Sequence, residues 1–168
     1  MPENRGEVAV VDASALIAVR RLLPQADQRR VFEALALRAR QRRLVFPPEI
    51  KIELDRYAGD READPVLRWV GEVEDVAMEP VGLDVVKRVL GQVGDVVDPA
   101  KQVEDADPFV LALALAIRED GNAVVVVTEE RKDRPDKMSM NTACGLLRIP
   151  CLTMRAAVRE QGIVLPWP

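Results

Sequence analysis

Histidine is missing from this chain altogether. Its absence removes imidazole bases, histidine-containing triads and histidine metal ligands together. Cysteine is almost missing too: Cys144 and Cys151 form no metal-ligand spacing, and we expect both as reduced thiols in a cytoplasmic protein. Any metal must then be held by oxygen, which favours Mg²⁺ or Mn²⁺ over zinc. Aromatic residues make up only 4%, so the core must be built from Val, Leu, Ala and Ile. Positive charge is not in excess either. The net charge is −4, so no overall basic field advertises nucleic-acid binding, and phosphates would need a local patch. No apolar run is long enough to span a bilayer, the clearest being residues 108–117. The start has no basic leader and is interrupted by Asp12, so no signal peptide is expected.

What is there is a globular composition, 48% hydrophobic and 31% charged, in 168 residues. That length suits one domain over residues 1–168. Residues 7–11 read as a buried strand, followed by a helix over 13–23 that Pro24 punctuates. Residues 25–43 form an exposed helix with Val31, Leu35 and Leu37 inward and many arginines outward. A short strand over 44–46 precedes Pro47 and Pro48, which begin a helix carrying Ile50 and Leu54 on one face. Asp64 and Pro65 start the next helix, and residues 76–81 make a strand weakened by Pro80. A helix over 83–93 leads into a loop rich in Gly, Asp and Pro that runs to Glu104. The most apolar helix spans 108–117, and Gly121 closes it. Residues 123–127 are a fully apolar, central strand. A polar and basic loop over 129–141 then gives way to a helix (142–147), a strand (150–153) and a closing helix (154–161). The alternation predicts an α/β protein, a three-layer α/β/α sandwich around a mostly parallel sheet of about five strands.

Four acids fall where such a sheet would gather them: Asp12 in VVDASALI, Glu53 in IKIELDRY, Asp107 in DADPFVLALALAI and Glu130 in VVVVTEERK. Open α/β sheets build their sites at the carboxyl ends of strands, and converging carboxylates invite a divalent cation. Each acid also has an ordinary explanation. Asp12 would cap the helix that follows it, and Asp107 before Pro108 is a good cap as well. Glu53 alone reads as solvated surface, although its neighbours Ile52 and Leu54 are apolar, so at least one of its flanks borders the buried side. Asp105 lies two residues before Asp107, so either carboxylate could serve as a ligand. Glu130 shares its loop with Thr128, Arg131, Lys132, Arg134 and Lys137.

Taken in order, VVDASALI, an IEL-type glutamate, DPFVLALALA and VVVVTEE resemble the PIN-domain nucleases, including the VapC-type toxins. The four acids are separated by 41, 54 and 23 residues, and the likeness runs from about Glu7 to Met154. It implies that Asp12, Glu53, Asp107 and Glu130 are metal-site acids, with Ser14, Thr128 and Asp105 in support. It further implies hydrolysis of RNA with one or two Mg²⁺ or Mn²⁺ ions, leaving 5′-phosphate and 3′-hydroxyl ends. An antitoxin protein and a second copy of the chain are the implied partners, with no membrane association. Arg131, Lys132, Arg134 and Lys137 are candidates for the RNA backbone, a solvated loop being the alternative. Two features depart from the family pattern: Glu130 stands where many relatives have aspartate, and the loop after it is long. A non-catalytic PIN-like module that binds RNA or protein is the rival reading. A response-regulator receiver is a more distant one, since paired acids at the first strand and a phosphorylatable Asp at a later strand end are both lacking.

Overall fold

Four buried residues, Val8–Val11, make the first strand, β1, and four valines, Val124–Val127, make β3 beside it. β-branched side chains crowd a helix and fit a pleated surface, and a strand buried on both faces has no use for alternation. The computed structural model describes residues 5–100, 105–165 and 167–168. Two shorter strands flank the central pair, Leu44–Val45 (β2) and Cys151–Leu152 (β4). The sheet runs β2-β1-β3-β4 with every pairing parallel. The register of the central pair sets Val8 against Val124 and Val11 against Val127, so both strands end at the same level.

Eight α-helices among the described residues surround the sheet: Ala13–Leu22 (α1), Gln25–Arg40 (α2), Pro48–Tyr57 (α3), Pro65–Ala77 (α4), Leu83–Val93 (α5), Asp107–Glu119 (α6), Met140–Leu147 (α7) and Met154–Glu160 (α8). A short 3₁₀ turn, Gly94–Val96, follows α5. Helix α5 packs against α6 and α7, and α1, α2, α3, α4 and α8 form the other group, giving the three-layer sandwich. Residues 108–115 of α6 are all buried, which is what an all-apolar helix between a sheet and other helices must be. Gly121, at φ +92°, ends this helix as expected. Asp64 caps α4 by accepting from the amides of Val66 and Leu67. Trp69 of α4 packs against the rings of Phe32 and Phe46, and its indole N–H donates to the Phe32 carbonyl at 3.0 Å.

Three sequence expectations need correction. The expected fifth strand over 76–81 is not formed, because α4 continues to Ala77. Val66, Trp69, Val70, Val73 and Ala77 make one continuous buried stripe that carries the helix through. What remains of the strand is a single parallel bridge from Met78 to Phe46, and Pro80 has no amide to extend it. Leu37 does not face inward. It is 57% exposed, while Val31, Phe32, Leu35, Ala36 and Ala39 supply the buried face of α2. That helix ends at Arg40 rather than residue 43, with Arg42 in the left-handed region at φ 60° turning the chain into β2. Part of the loop expected up to Glu104, residues 101–104, lies outside the described residues. Cys144 is buried and Cys151 partly buried, and both are free thiols. No helix among the described residues is long and apolar enough to cross a membrane.

Candidate metal centre

Asp12 is the residue at which β1 stops. Its amide donates to the Val127 carbonyl at 2.9 Å, so the sheet ladder itself fixes where the side chain leaves. The backbone there is extended and stands at the cap position of α1, yet the carboxylate makes no capping hydrogen bond. It is used elsewhere. Oδ2 accepts from Ser14 Oγ at 2.9 Å and from Thr128 Oγ1 at 2.8 Å. Thr128 lies one residue past β3 and is fully buried, held by its own amide to the Leu152 carbonyl. The two hydroxyl oxygens lie 3.1 Å apart. Each also accepts a backbone amide, Ser14 Oγ from Glu129 and Thr128 Oγ1 from Glu130. A hydroxyl has one proton and two lone pairs, so donating to Asp12 while accepting from the loop satisfies it and fixes its rotamer. The same pair of hydroxyls therefore orients Asp12 and shapes the turn that brings in Glu130.

Asp107 opens α6 and is 4% exposed. The capping expected of it falls to Asp105, whose Oδ1 accepts the Asp107 amide and whose Oδ2 accepts the Asp98 amide, each at 3.1 Å. Of these two acids it is Asp107 that joins the cluster. Ligand oxygens of Asp12, Asp107 and Glu130 all lie within 4.8 Å of one another. In an octahedral Mg²⁺ shell neighbouring oxygens are about 3 Å apart and opposite ones about 4.2 Å, so the three carboxylates would draw together as they took up the ion. Three carboxylates and no nitrogen or sulfur are the donor chemistry that hard divalent cations prefer. Glu53 does not enter the group. It lies half-buried on α3, with one flank bordering the core as expected: Leu54 is buried beside it, while Ile52 on the other side is 56% exposed.

The largest change concerns Lys137. Named by sequence with the loop cations that could contact an RNA backbone, it is instead 5% exposed and belongs to the cluster. Its ammonium donates to Asp107 Oδ2 at 2.8 Å and forms a very short contact with Glu130 Oε1. Arg134 and Lys137 bridge each other across Pro135 and Asp136, a Pro-Asp turn that folds the lysine back toward the sheet. That dipeptide was the sequence signal for its position. Among the other loop cations, Arg131 and Lys132 are exposed, and Arg134 is exposed but pairs with Asp98 at 2.8 Å. Glu129 is occupied structurally, accepting the Met154 amide at the start of α8.

Burial dominates the electrostatics. It pushes the Asp12 carboxyl above the usual range, opposed by the Thr128 and Ser14 hydrogen bonds and assisted by the charge of Glu130. Asp107 is pushed well above that range by burial first and then by Asp12 and Asp105, with Lys137 pulling the other way. For Lys137 burial acts to lower the pKa, but Asp107 and Glu130 together hold it above the ordinary lysine value. Burial and mutual repulsion thus penalise the ionised carboxylates, and a bound cation would relieve that penalty.

A family profile described as a domain of unknown function (DUF4411) matches residues 10–165 of the chain. The matched stretch contains all three clustered acids, Lys137 and both hydroxyls. No curated protein matches.

Proposed function

We propose that this chain, which belongs to the DUF4411 family, is a metal-dependent endoribonuclease. The observation that supports this most directly is the convergence of Asp12, Asp107 and Glu130 at the carboxyl end of a parallel sheet. Asp12, Asp107 and Glu130 would hold Mg²⁺ or Mn²⁺, and Ser14 and Thr128 keep Asp12 aimed. A divalent ion bound there supplies a lowered pKa for attacking water and stabilises charge on the phosphate oxygens. Hydrolysis joins the water oxygen to phosphorus and releases a 3′-hydroxyl, so no histidine base is needed. Glu53, outside the cluster, would contribute through solvent rather than as a direct ligand.

From the resemblance to VapC-type toxins we propose a natural role in a toxin–antitoxin pair, with a cytoplasmic home, a small antitoxin as partner and a homodimer as the working form. Two measurements test the core of this reading. Asp12→Asn and Asp107→Asn should each abolish Mn²⁺-dependent cleavage of unstructured RNA, and Mn²⁺ should raise the melting midpoint of the wild type only. Equal cleavage by all three proteins would sink the assignment. The non-catalytic alternative draws on Lys137, which already offsets the charge of Asp107 and Glu130. Metal binding without cleavage of any RNA would favour that alternative.

A further inference from the structure

Residues 131–136 are all exposed, and Lys137 immediately after them is buried. Burying an ammonium is costly unless its donors are paired. Lys137 has three, and three acceptors surround it: Asp107 Oδ2, Glu130 Oε1 and, more weakly at 3.4 Å, the Met138 carbonyl. The loop is fastened on both sides of it. Arg134 and Lys137 exchange backbone hydrogen bonds at 2.9 and 3.2 Å, and the Met138 amide reaches the Asp95 carbonyl at 2.7 Å. The Ser139 amide donates to Asp133 at 2.8 Å, and Arg134 reaches across to Asp98. These contacts fix the backbone that carries the lysine, and its three acceptors hold the ammonium.

The side-chain donors of the centre also divide the carboxylate oxygens in a definite way. Ser14 and Thr128 use Oδ2 of Asp12, and Lys137 uses Oδ2 of Asp107 and Oε1 of Glu130. These contacts engage one oxygen of each acid, and all three acids still offer an oxygen to a common ion. In the ionised form that ligates metal, three carboxylates and one ammonium carry two net negative charges, which a single divalent cation cancels and a second would overshoot.

Building on the metal-centre reading above, we infer that Lys137 is a resident cation of this centre: it stays beside Asp107 and Glu130 when metal binds, and so limits the centre to one divalent ion. Its removal leaves an uncompensated charge that draws metal harder or admits a second ion.

The test compares wild type, Lys137→Met and Lys137→Gln. Mn²⁺ uptake is measured by calorimetry on the intact chain, and reductive methylation of lysines is read by peptide mass spectrometry with and without Mn²⁺. Lys132, exposed on the same loop, is the internal control for reagent access. The wild type should bind one Mn²⁺ per chain, with Lys137 protected in both conditions while Lys132 is methylated. Each variant should either bind a second ion or hold the first at least about tenfold more tightly, a change of ~1.4 kcal/mol. Methylation of Lys137 on Mn²⁺ saturation would show that the ion displaces it, and would overturn the inference. So would variants with the same stoichiometry and affinity as wild type. If neither variant folds, the wild-type protection pattern decides alone. Absence of Mn²⁺ binding in folded wild type and variants alike would instead remove the metal-centre reading, a distinguishable failure.

Discussion

Thr128 Oγ1 donates to Asp12 Oδ2 at 2.8 Å, joining the ends of two strands 116 residues apart in the chain. The contact exists because β1 and β3 are paired in register up to Val11 and Val127, one residue short of each partner. Both groups are buried, so the hydrogen bond serves a carboxylate that little solvent reaches.

Thr128→Val keeps the shape and removes that donor. We expect a loss of about 1.5–3 kcal/mol in urea unfolding of metal-free protein at neutral pH, the range for a hydrogen bond to a charged group. In an Asp12→Asn background the acceptor is neutral, and the cost should shrink to about 1 kcal/mol. Equal costs in the two backgrounds would mean that Thr128 acts through packing instead.

Asp12→Asn should have opposite effects in the presence and absence of metal. Because the folded pKa of Asp12 is raised, the folded state holds this proton longer than the unfolded chain does. The wild-type stability contribution therefore falls as pH rises from the unfolded value of about 3.9 through the folded pKa. In chelator, the variant should match wild type near the lower limit and gain on it toward neutral pH, by about 1.4 kcal/mol per pKa unit of elevation. With Mn²⁺ the order should reverse, since only wild type can be stabilised by the ion. Melting curves at several pH values, with EDTA and with Mn²⁺, report both halves. A variant less stable than wild type in EDTA at neutral pH would contradict the first.

Asp105 is a structural neighbour of the site. It accepts the amides of Asp98 and Asp107 and so sets the entry to α6. Asp105→Ala should cost about 2 kcal/mol of stability, since the buried Asp107 amide and the part-buried Asp98 amide both lose their acceptor. It should also weaken Mn²⁺ binding less than Asp107→Asn does. Calorimetric titration of the two variants side by side checks the order, and a greater loss with Asp105→Ala would make Asp105 the ligand.

Arg131 and Lys132 remain the exposed cations nearest Glu130 in sequence. In the ribonuclease reading they contact the RNA backbone, so Arg131→Glu with Lys132→Glu should leave the melting midpoint unchanged. RNA affinity at low salt should fall roughly tenfold or more, and the salt dependence should become shallower by ~0.7 per lost phosphate contact. Filter binding across a salt series reads both, and an unchanged slope would put the RNA path elsewhere.

Legibility in the sequence followed the range of the forces involved. Residues 124–127 and 8–11 could be read as strands because local β-branched runs have one good use. Asp64 before Pro65 and Gly121 after α6 signalled helix limits through their own backbone chemistry. The expected strand over 76–81 failed because the Val66-to-Ala77 stripe, a helical period over twelve residues, outweighed the local preference. Asp12 and Asp107 were both read as candidate helix caps, and neither side chain caps its helix. Sharing one site with a neighbour is a tertiary contact that a cap motif cannot reveal.

By itself, the sequence determined the α/β class, the central valine strands, the lack of any imidazole ligand or base, and the order of acids along the chain. Tertiary structure alone decided which acids meet: Asp12, Asp107 and Glu130 converge, while Glu53 stays apart and Asp105 turns to the backbone. It also decided that Lys137 leaves the solvated loop for the centre of that cluster. The physical reason is that a charge's environment is set by what folds against it from distant segments. Composition can supply the ions, but only packing selects their partners and removes the water between them.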